Sequence, residues 1–276
     1  MPTILGIFIL LLGITSGVVL LNAKQIFRLG AEGDTSPKNI KVSNVTDSGF
    51  TLSFVTNKES RSFVKVSKDK YFINDISIKR EEEKSKTHYL NIDGLSPNSL
   101  YFVSINSDGV NYFLNNPWSI KTGVTLPTDR KGINLYGKVY SKSAEPLKGA
   151  IVYIQCGNGG LLSTLTSDDG NWNVNIAKTR TPDNAEYSIV DEDLTLIQIL
   201  IQYEQLTSTI TTYAGNTSLP SIILGNNADL RNTPPSTDSA ELTTPYVYGT
   251  SINSERIPLL IQNIYKERHV TTTYEQ

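Results

Sequence analysis

The chain has 276 residues, a formal net charge of −2 and a single cysteine. This length accommodates two domains of ordinary size. Charges of both signs are interspersed, so the sequence shows no basic stripe for binding nucleic acid. Cys156 cannot close an internal disulfide, and the packed cores must therefore supply the stability of the folded state.

The first element is an apolar run, Thr3–Ala23, with no charged side chain before Lys24. This run is long enough for a helix that crosses roughly 30 Å of hydrocarbon. We therefore predict that residues 1–29 form a transmembrane anchor. A cleaved signal peptide is the alternative, although the start lacks a basic residue and Leu21 stands where a small residue is preferred before the cut.

Two features of the sequence favour opposite orientations of this anchor. Lys24 and Arg28 follow the apolar run and nothing basic precedes it, so the positive-inside rule alone places the bulk of the chain in the cytoplasm. Large domains cross membranes regardless of charge, and the β-rich remainder favours the outside. We expect a single-pass protein of the cell membrane with extracellular domains.

A first β-sandwich is predicted over residues 37–123. The segment Phe50–Val55 alternates, so that Phe50, Leu52 and Phe54 face one way. Further short apolar runs separated by turn residues follow, a pattern typical of a sandwich.

The end of this region carries a specific motif, Gly94-Leu95-x-Pro97-x-x-x-Tyr101. With the preceding strands it resembles a fibronectin type III domain, in which Phe54 replaces the usual Trp. The resemblance implies that Leu95 and Pro97 form a turn between two strands. It also implies that the hydroxyl of Tyr101 bonds back to the backbone of this corner.

A linker, Val124–Lys131, precedes a second predicted sandwich over residues 132–225. Its motif residues are Gly137, Pro146, Gly149, Asp168, Gly170 and Trp172. In this order they resemble a carboxypeptidase regulatory-like domain, a small sandwich of the transthyretin-like kind. Gly149 and Gly170 supply turn conformations. We expect Asp168 to bond to the backbone of its turn and Trp172 to begin a strand and bury its ring.

Two polar segments are predicted to lie outside the sandwich cores. Thr179–Asp193 is longer than a hairpin needs and is interpreted as a surface loop. Residues 226–276 form a low-complexity tail, mostly disordered, because few large apolar side chains offset the chain entropy. Within the tail, the apolar run Ile257–Tyr265 could dock on a sandwich, extend a sheet edge or bind a partner.

The sequence contains no nucleotide loop, nucleophile elbow or zinc-protease motif. Cys156 is expected to be an inert thiol at a strand end, and His88 a strand residue without companion metal ligands. Glu81–Glu83 is interpreted as a solvated charged loop, and Asp168-Asp169 as a turn rather than a calcium loop. We therefore expect no catalysis, no metal and no cofactor.

These observations predict an all-β protein: two tandem β-sandwiches after an N-terminal transmembrane helix, with a mostly disordered tail. The expected function is non-catalytic display at the cell surface, for adhesion or for binding a protein or carbohydrate. One alternative is a structural subunit of an envelope, pilus-like or secretion assembly, with Gly13 and Gly17 at a helix–helix seam. Another is an accessory module for a partner hydrolase.

Overall fold

The computed structural model describes residues 35–74, 76–112, 118–128 and 131–232. The predicted anchor at 1–29 and the tail from residue 233 lie outside these ranges. Within them the chain is almost entirely β-structure, with one short 3-10 helix at Ile176–Lys178. None of the described helical residues forms a segment long and apolar enough to span a membrane.

The first sandwich is built from two antiparallel sheets. Its described strands are β1 (Lys38–Ser43), β2 (Phe50–Ser60), β3 (Ser62–Ser67), β4 (Ser77–Arg80), β5 (Ser85–Ile92), β6 (Leu100–Ser107), β7 (Val110–Tyr112) and β8 (Trp118–Lys121). One sheet has the order β1-β2-β5. The other has the order β4-β3-β6-β7, with β8 also paired to β6. Two antiparallel sheets around one core form a β-sandwich, in the range where the sequence predicts one.

The core of the first sandwich follows the predicted alternation. Phe50, Leu52 and Phe54 of β2 point into it, together with Val64 of β3 and Val103 of β6. Successive side chains of a strand point to opposite faces, so the residues between them must lie on the other side of the sheet. That other side is also covered, since Thr51 and Ser53 are buried.

The second sandwich also has two sheets. Its described strands are β9 (Asn134–Tyr140), β10 (Ile151–Cys156), β11 (Leu162–Leu165), β12 (Asn171–Asn175), β13 (Leu196–Tyr203), β14 (Leu206–Tyr213), β15 (Ile222–Ile223) and β16 (Ala228–Asp229). One sheet has the order β11-β10-β13-β14-β16 and the other β12-β9-β15.

The structure differs from the predicted second sandwich at two places. The sheet continues beyond residue 225, because β16 pairs in parallel with β14 and Leu230 is buried in the core. A two-residue pairing and one leucine are too short a signal for any periodicity. The predicted surface loop also begins with buried residues, since Thr179 and Arg180 are both almost inaccessible to solvent.

The two sandwiches pack against each other through one sheet each. We call β1-β2-β5 and β11-β10-β13-β14-β16 the inner sheets, the remaining two the outer sheets, and the contact between the inner sheets the junction. Thr51, Ser53 and Val55, on the side of β2 away from its own core, are buried. All six residues of β10 are likewise buried. The chain therefore forms layered sheets rather than two separate modules.

Candidate functional site

The predicted corner of the first sandwich is held by Tyr101. Its hydroxyl accepts a hydrogen bond of 2.8 Å from the backbone N–H of Ser96, which is the back-bond of a tyrosine corner. Leu95 is buried in the core, and Gly94 has a φ of 74° that glycine adopts without steric cost. The carbonyl of Pro97 accepts from Ser99 at 2.9 Å. These residues form a structural turn rather than a binding site.

In the second sandwich Gly137 and Trp172 form one packing unit. They are paired residues of β9 and β12, and the Trp172 ring lies over the glycine. A Cβ at Gly137 would stand 2.9 Å from Cζ2 of Trp172. Gly137 therefore provides the space in which the buried indole lies.

The remaining motif residues lie in the turns that follow β9 and precede β12. Pro146 forms an isolated β-bridge with Tyr140 of β9. Gly149 and Gly170 have φ values of 75° and 74°. The Asp168 carboxylate pairs with the Lys148 ammonium at 2.7 Å, both well exposed. This ion pair was not predicted from the sequence.

The junction contains a polar cluster around Ser163 of β11. Its hydroxyl lies 2.6 Å from the Ser43 hydroxyl and 3.0 Å from that of Tyr89. The side-chain Nδ2 of Asn44 donates to the backbone carbonyl of Ser163 at 3.0 Å, and the side-chain Oδ1 of Asn44 accepts from the backbone N–H of Ser163 at 2.9 Å. Because the polar groups of this cluster bond across the junction, their burial is compensated.

Tyr153 forms the centre of the junction. It packs with Ile151, Leu161 and Leu200 of its own sandwich and with Tyr89 of the other. Its hydroxyl shares a hydrogen bond of 2.8 Å with that of Ser53. Burial raises the pKa of the Tyr153 hydroxyl far above its ordinary value. An apolar centre with a paired hydroxyl is the composition of a stable interface.

Charged groups border this centre. The Lys41 ammonium lies 5.2 Å from the centroid of the Tyr153 ring, and burial lowers the pKa of Lys41. The turn between β13 and β14 reaches the first sandwich, where Glu204 accepts from the Lys86 ammonium at 3.3 Å. The Glu204 N–H also donates to the Thr87 hydroxyl at 3.0 Å.

The linker is fixed by a buried arginine. Arg180 donates to the carbonyl of Val124 at 2.7 Å and to that of Asn184 at 3.2 Å. A Cβ at Gly123 would collide with this guanidinium. The start of the linker is therefore clamped against the second sandwich, which together with the junction restricts any rotation between the sandwiches.

One cluster has the residue types of a catalytic triad. His88 lies in β5, as predicted, stacked on Phe54 at 4.4 Å. Its Nδ1 is 2.7 Å from the Glu81 carboxylate, and its Nε2 is 3.1 Å from the Thr56 hydroxyl and 3.2 Å from that of Ser60. Thr56, Ser60 and His88 are all fully buried.

This burial determines what the cluster can do. A nucleophilic hydroxyl must meet a substrate carbonyl beside an oxyanion site, and neither hydroxyl is accessible. The cluster instead satisfies buried polar groups. The sequence interpretation of Glu81–Glu83 as a solvated loop is wrong for Glu81, because its carboxylate also accepts from the Ser62 N–H at 3.2 Å.

Two further expectations concern reactive groups and metals. Cys156 ends β10 and is buried, and burial raises the pKa of its thiol, which keeps it protonated. Within the described ranges, no group of three or more His, Cys, Asp or Glu side chains is placed to hold a metal ion.

One regular surface with exposed aromatic and amide side chains is the outer sheet of the second sandwich. Its β9 strand places Tyr136, Lys138 and Tyr140 on the solvent side, while β12 adds Asn171 and Asn173. Tyr136 is 41% exposed, and the Lys138 ammonium lies 5.1 Å from the centroid of the Tyr140 ring. Aromatic rings beside exposed amides on one face of a sheet can stack on a ligand and hydrogen-bond to it. We call these five residues the Tyr-Asn face.

No protein-family model and no curated protein matches this chain. Among solved structures it is similar to PhoD, with 16% identity, a TM-score of 0.27, and coverage of 37% of this chain and 21% of that one. It is also similar to the FN1-FN3 domains of chicken CNTN1, with 12% identity, a TM-score of 0.24 and 67% coverage of each chain. The central fibronectin-III array of RIM-binding protein matches at 15% identity and a TM-score of 0.25, covering 66% of this chain and 65% of that one.

Neither the junction nor the Tyr-Asn face was predicted as a site from the sequence. The signal for the face was present, since Tyr136, Lys138 and Tyr140 occupy alternate positions of β9, a strand that buries Leu135 and Val139 on its other side. The junction had a weaker signal. Thr51 and Ser53 are small hydroxyl residues that suit either solvent or a close sheet–sheet contact, and only the partner sheet distinguishes the two.

Proposed function

We propose that this chain is a non-catalytic, membrane-anchored surface protein whose two sandwiches form one rigid ligand-binding body. The apolar run Thr3–Ala23 supports the anchor. The motif order from Gly137 to Trp172 supports a carboxypeptidase regulatory-like second sandwich. Among the described residues, the one arrangement with catalytic residue types is enclosed in a sandwich core, which supports a binding role over catalysis.

The observation that carries this proposal is the junction. Tyr153 and Ser53 meet at its centre, Asn44 and Ser163 exchange hydrogen bonds at its side, and Arg180 fixes the linker. A flexible stalk would leave both inner sheets in solvent, whereas here they cover each other. The outer sheets and the loops consequently remain as the surfaces that can meet a partner.

Within this body the Tyr-Asn face is the proposed ligand surface. Residues Tyr136 and Tyr140 lie four positions apart on one strand, which is roughly 13 Å. This span suits a protein segment or an oligosaccharide rather than a small metabolite. The exposed amides of Asn171 and Asn173 offer both donors and acceptors.

The anchor and its orientation are tested by fractionation of cells that express the full chain, combined with surface proteolysis. We expect the chain in the membrane fraction, with Met1 intact by mass and the sandwiches cleaved by protease added outside. Complete protection would contradict outward display, and a soluble product starting near Lys24 would show a secreted protein.

The ligand surface is tested with the full chain on immobilised glycan and peptide arrays. We expect binding that is lost on combining Tyr136→Ala with Asn173→Ala. The control is Tyr213→Ala, because Tyr213 is similarly exposed, at 37%, but lies on β14 of the inner sheet. Equal loss in both variants would contradict this assignment.

A further inference from the structure

Among the residues that the structure describes, large apolar side chains with very high exposure lie in two loops. Tyr71 and Ile73 follow β3 and are 71% and 73% exposed, and Ile189 and Leu194 precede β13 and are 91% and 78% exposed. The next most exposed large apolar residue that the structure describes, Leu100, is 49% exposed. Exposed apolar groups collected in this way indicate an interaction surface.

Local hydrogen bonds hold each loop in its exposed conformation. The Asp69 carboxylate accepts from the N–H groups of Tyr71 at 2.9 Å and Ile73 at 3.0 Å. The Asp191 carboxylate accepts from the N–H groups of Asp193 and Leu194, both at 2.9 Å. Because these bonds fix the backbone, less conformational entropy is lost when the side chains are covered.

The two loops carry opposite charge. The basic hairpin, residues 68–80, has four basic side chains and two acidic ones in its sequence. The acidic loop, residues 181–194, has five acidic side chains and no basic one. One exposed apolar pair is therefore surrounded by basic side chains and the other by acidic side chains. Surfaces of opposite charge complement each other.

Both loops lie near the same end of the molecule. The Lys68 ammonium donates to the Ser96 hydroxyl at 3.1 Å, and the nearby Asn98 N–H donates to the carbonyl of Gly123 at 2.8 Å. The next residue, Val124, donates its N–H to the carbonyl of Asn184 in the acidic loop at 3.4 Å. A two-fold axis at this end would set each loop of one copy against the other loop of its partner.

We propose that the occupant of this surface is a second copy of this chain, with the basic hairpin of each copy seated on the acidic loop of the other. The contact pairs Tyr71 and Ile73 with Ile189 and Leu194, surrounded by opposite charges. Self-association of this kind goes beyond the proposed function, because it requires neither the anchor nor the Tyr-Asn face.

The test is a charge-swap series on the full chain, with the dissociation constant of the dimer measured by sedimentation velocity. One variant combines Glu186→Lys, Glu192→Lys and Asp193→Lys, which changes the net charge of the acidic loop from −5 to +1. The other combines Lys70→Glu with Arg80→Glu, which changes the net charge of the basic hairpin from +2 to −2. Each alone brings like charges together at both contacts, so we expect weakening by more than about tenfold. Mixed together they again present opposite charges at both contacts, and we expect a heterodimer close to wild-type affinity.

The matched control reverses two exposed charges elsewhere, Lys142→Glu with Glu145→Lys, and should leave dimerisation unchanged. Substitution of Ile73→Ser with Ile189→Ser removes apolar contact without a change of charge, and it should also weaken the dimer. A wild-type chain that stays monomeric would overturn the proposal. A dimer that neither charge reversal weakens would overturn it too, and so would a mixture that does not restore association.

Discussion

The inner and outer sheets of this molecule follow different burial rules. In the outer sheet of the second sandwich, β12 alternates between exposed and buried positions, with Trp172 and Val174 inside. In the inner sheet of the same sandwich, β10 is buried at every position. The inner strand β2 of the first sandwich is buried from Phe50 to Thr56. Strands of this protein thus carry one buried face or two, depending on what lies beyond their sheet.

This contrast shows where the two sandwiches become one body. A sheet with one covered face needs large apolar residues at alternate positions, and β12 meets that need. A sheet covered on both faces needs a second set of side chains that pack on a foreign surface. β10 supplies Ile151 and Tyr153 for this purpose, while β2 supplies Thr51, Ser53 and Val55. The substitutions below separate these two requirements.

The largest effect is expected when the junction is emptied. Tyr153→Ala should lower the free energy of unfolding by about 3–5 kcal/mol, since it leaves a cavity and an unpaired Ser53 hydroxyl. Tyr136→Ala, on the outer face, should change it by no more than about 0.5 kcal/mol. Guanidinium denaturation measures both, and similar losses in the two variants would show that the junction contributes little to stability.

A smaller loss is expected from overpacking behind the outer sheet. Gly137→Ala places a Cβ 2.9 Å from Cζ2 of Trp172, and a displaced indole should cost about 1–3 kcal/mol. The double variant with Trp172→Phe supplies the control, because a smaller ring makes room for the methyl group. Urea denaturation measures the free energy of unfolding of each variant. If the changes caused by the two substitutions simply add, the methyl group at position 137 does not clash with the indole.

The junction should also respond to alkaline pH. Burial raises the pKa of Tyr153 above its ordinary value of 10.0, so above that pH the unfolded chain loses this proton while the folded chain keeps it. The contribution of Tyr153 is therefore complete below pH 10 and declines above it, by about 1.4 kcal/mol per pH unit.

The comparison for this pH effect is Tyr153→Phe, whose stability should fall less steeply between pH 10 and 11 than that of the wild type. Thermal unfolding followed across this range, with the difference between the two proteins as the readout, cancels other titrating groups. Parallel pH profiles would contradict the buried state of this hydroxyl.

The smallest effect concerns the corner of the first sandwich. Tyr101→Phe removes the acceptor of the Ser96 N–H and should cost about 0.5–1.5 kcal/mol. Tyr140→Phe on the outer face, where the ring borders Lys138, should be neutral. Hydrogen exchange of the Ser96 amide gives a direct readout. Unchanged protection in Tyr101→Phe would show that this bond does not hold the corner.

Much of the first sandwich could be predicted from the sequence. Phe50, Leu52 and Phe54 recur with the period of a strand, and the spacing from Gly94 to Tyr101 marks a turn between two strands. These are local signals, since each depends on neighbours within about ten residues. The junction is not local: Ser43 and Ser163 are 120 residues apart, and nothing near either serine in the chain indicates the other.

The candidate site likewise has a part that the sequence indicates and a part that only the fold provides. Tyr136, Lys138 and Tyr140 were visible as the polar half of an alternating strand, but their exposure depends on which sheet stays uncovered. Glu81 was grouped with its two exposed neighbours, because a run of glutamates ordinarily faces water. Only the approach of β5 places the His88 imidazole at its carboxylate.

The sequence by itself determined the all-β class of the described chain, the alternation of its core residues and the special backbone of its glycine turns, because these arise from steric limits and burial along single strands. The tertiary structure decided which sheet faces water, which hydroxyls are buried and which loops project. Those outcomes depend on pairwise contacts between segments far apart in the chain. A small polar residue such as Ser53 is compatible with both solvent and a buried interface, and only its contact with Tyr153 decides between them.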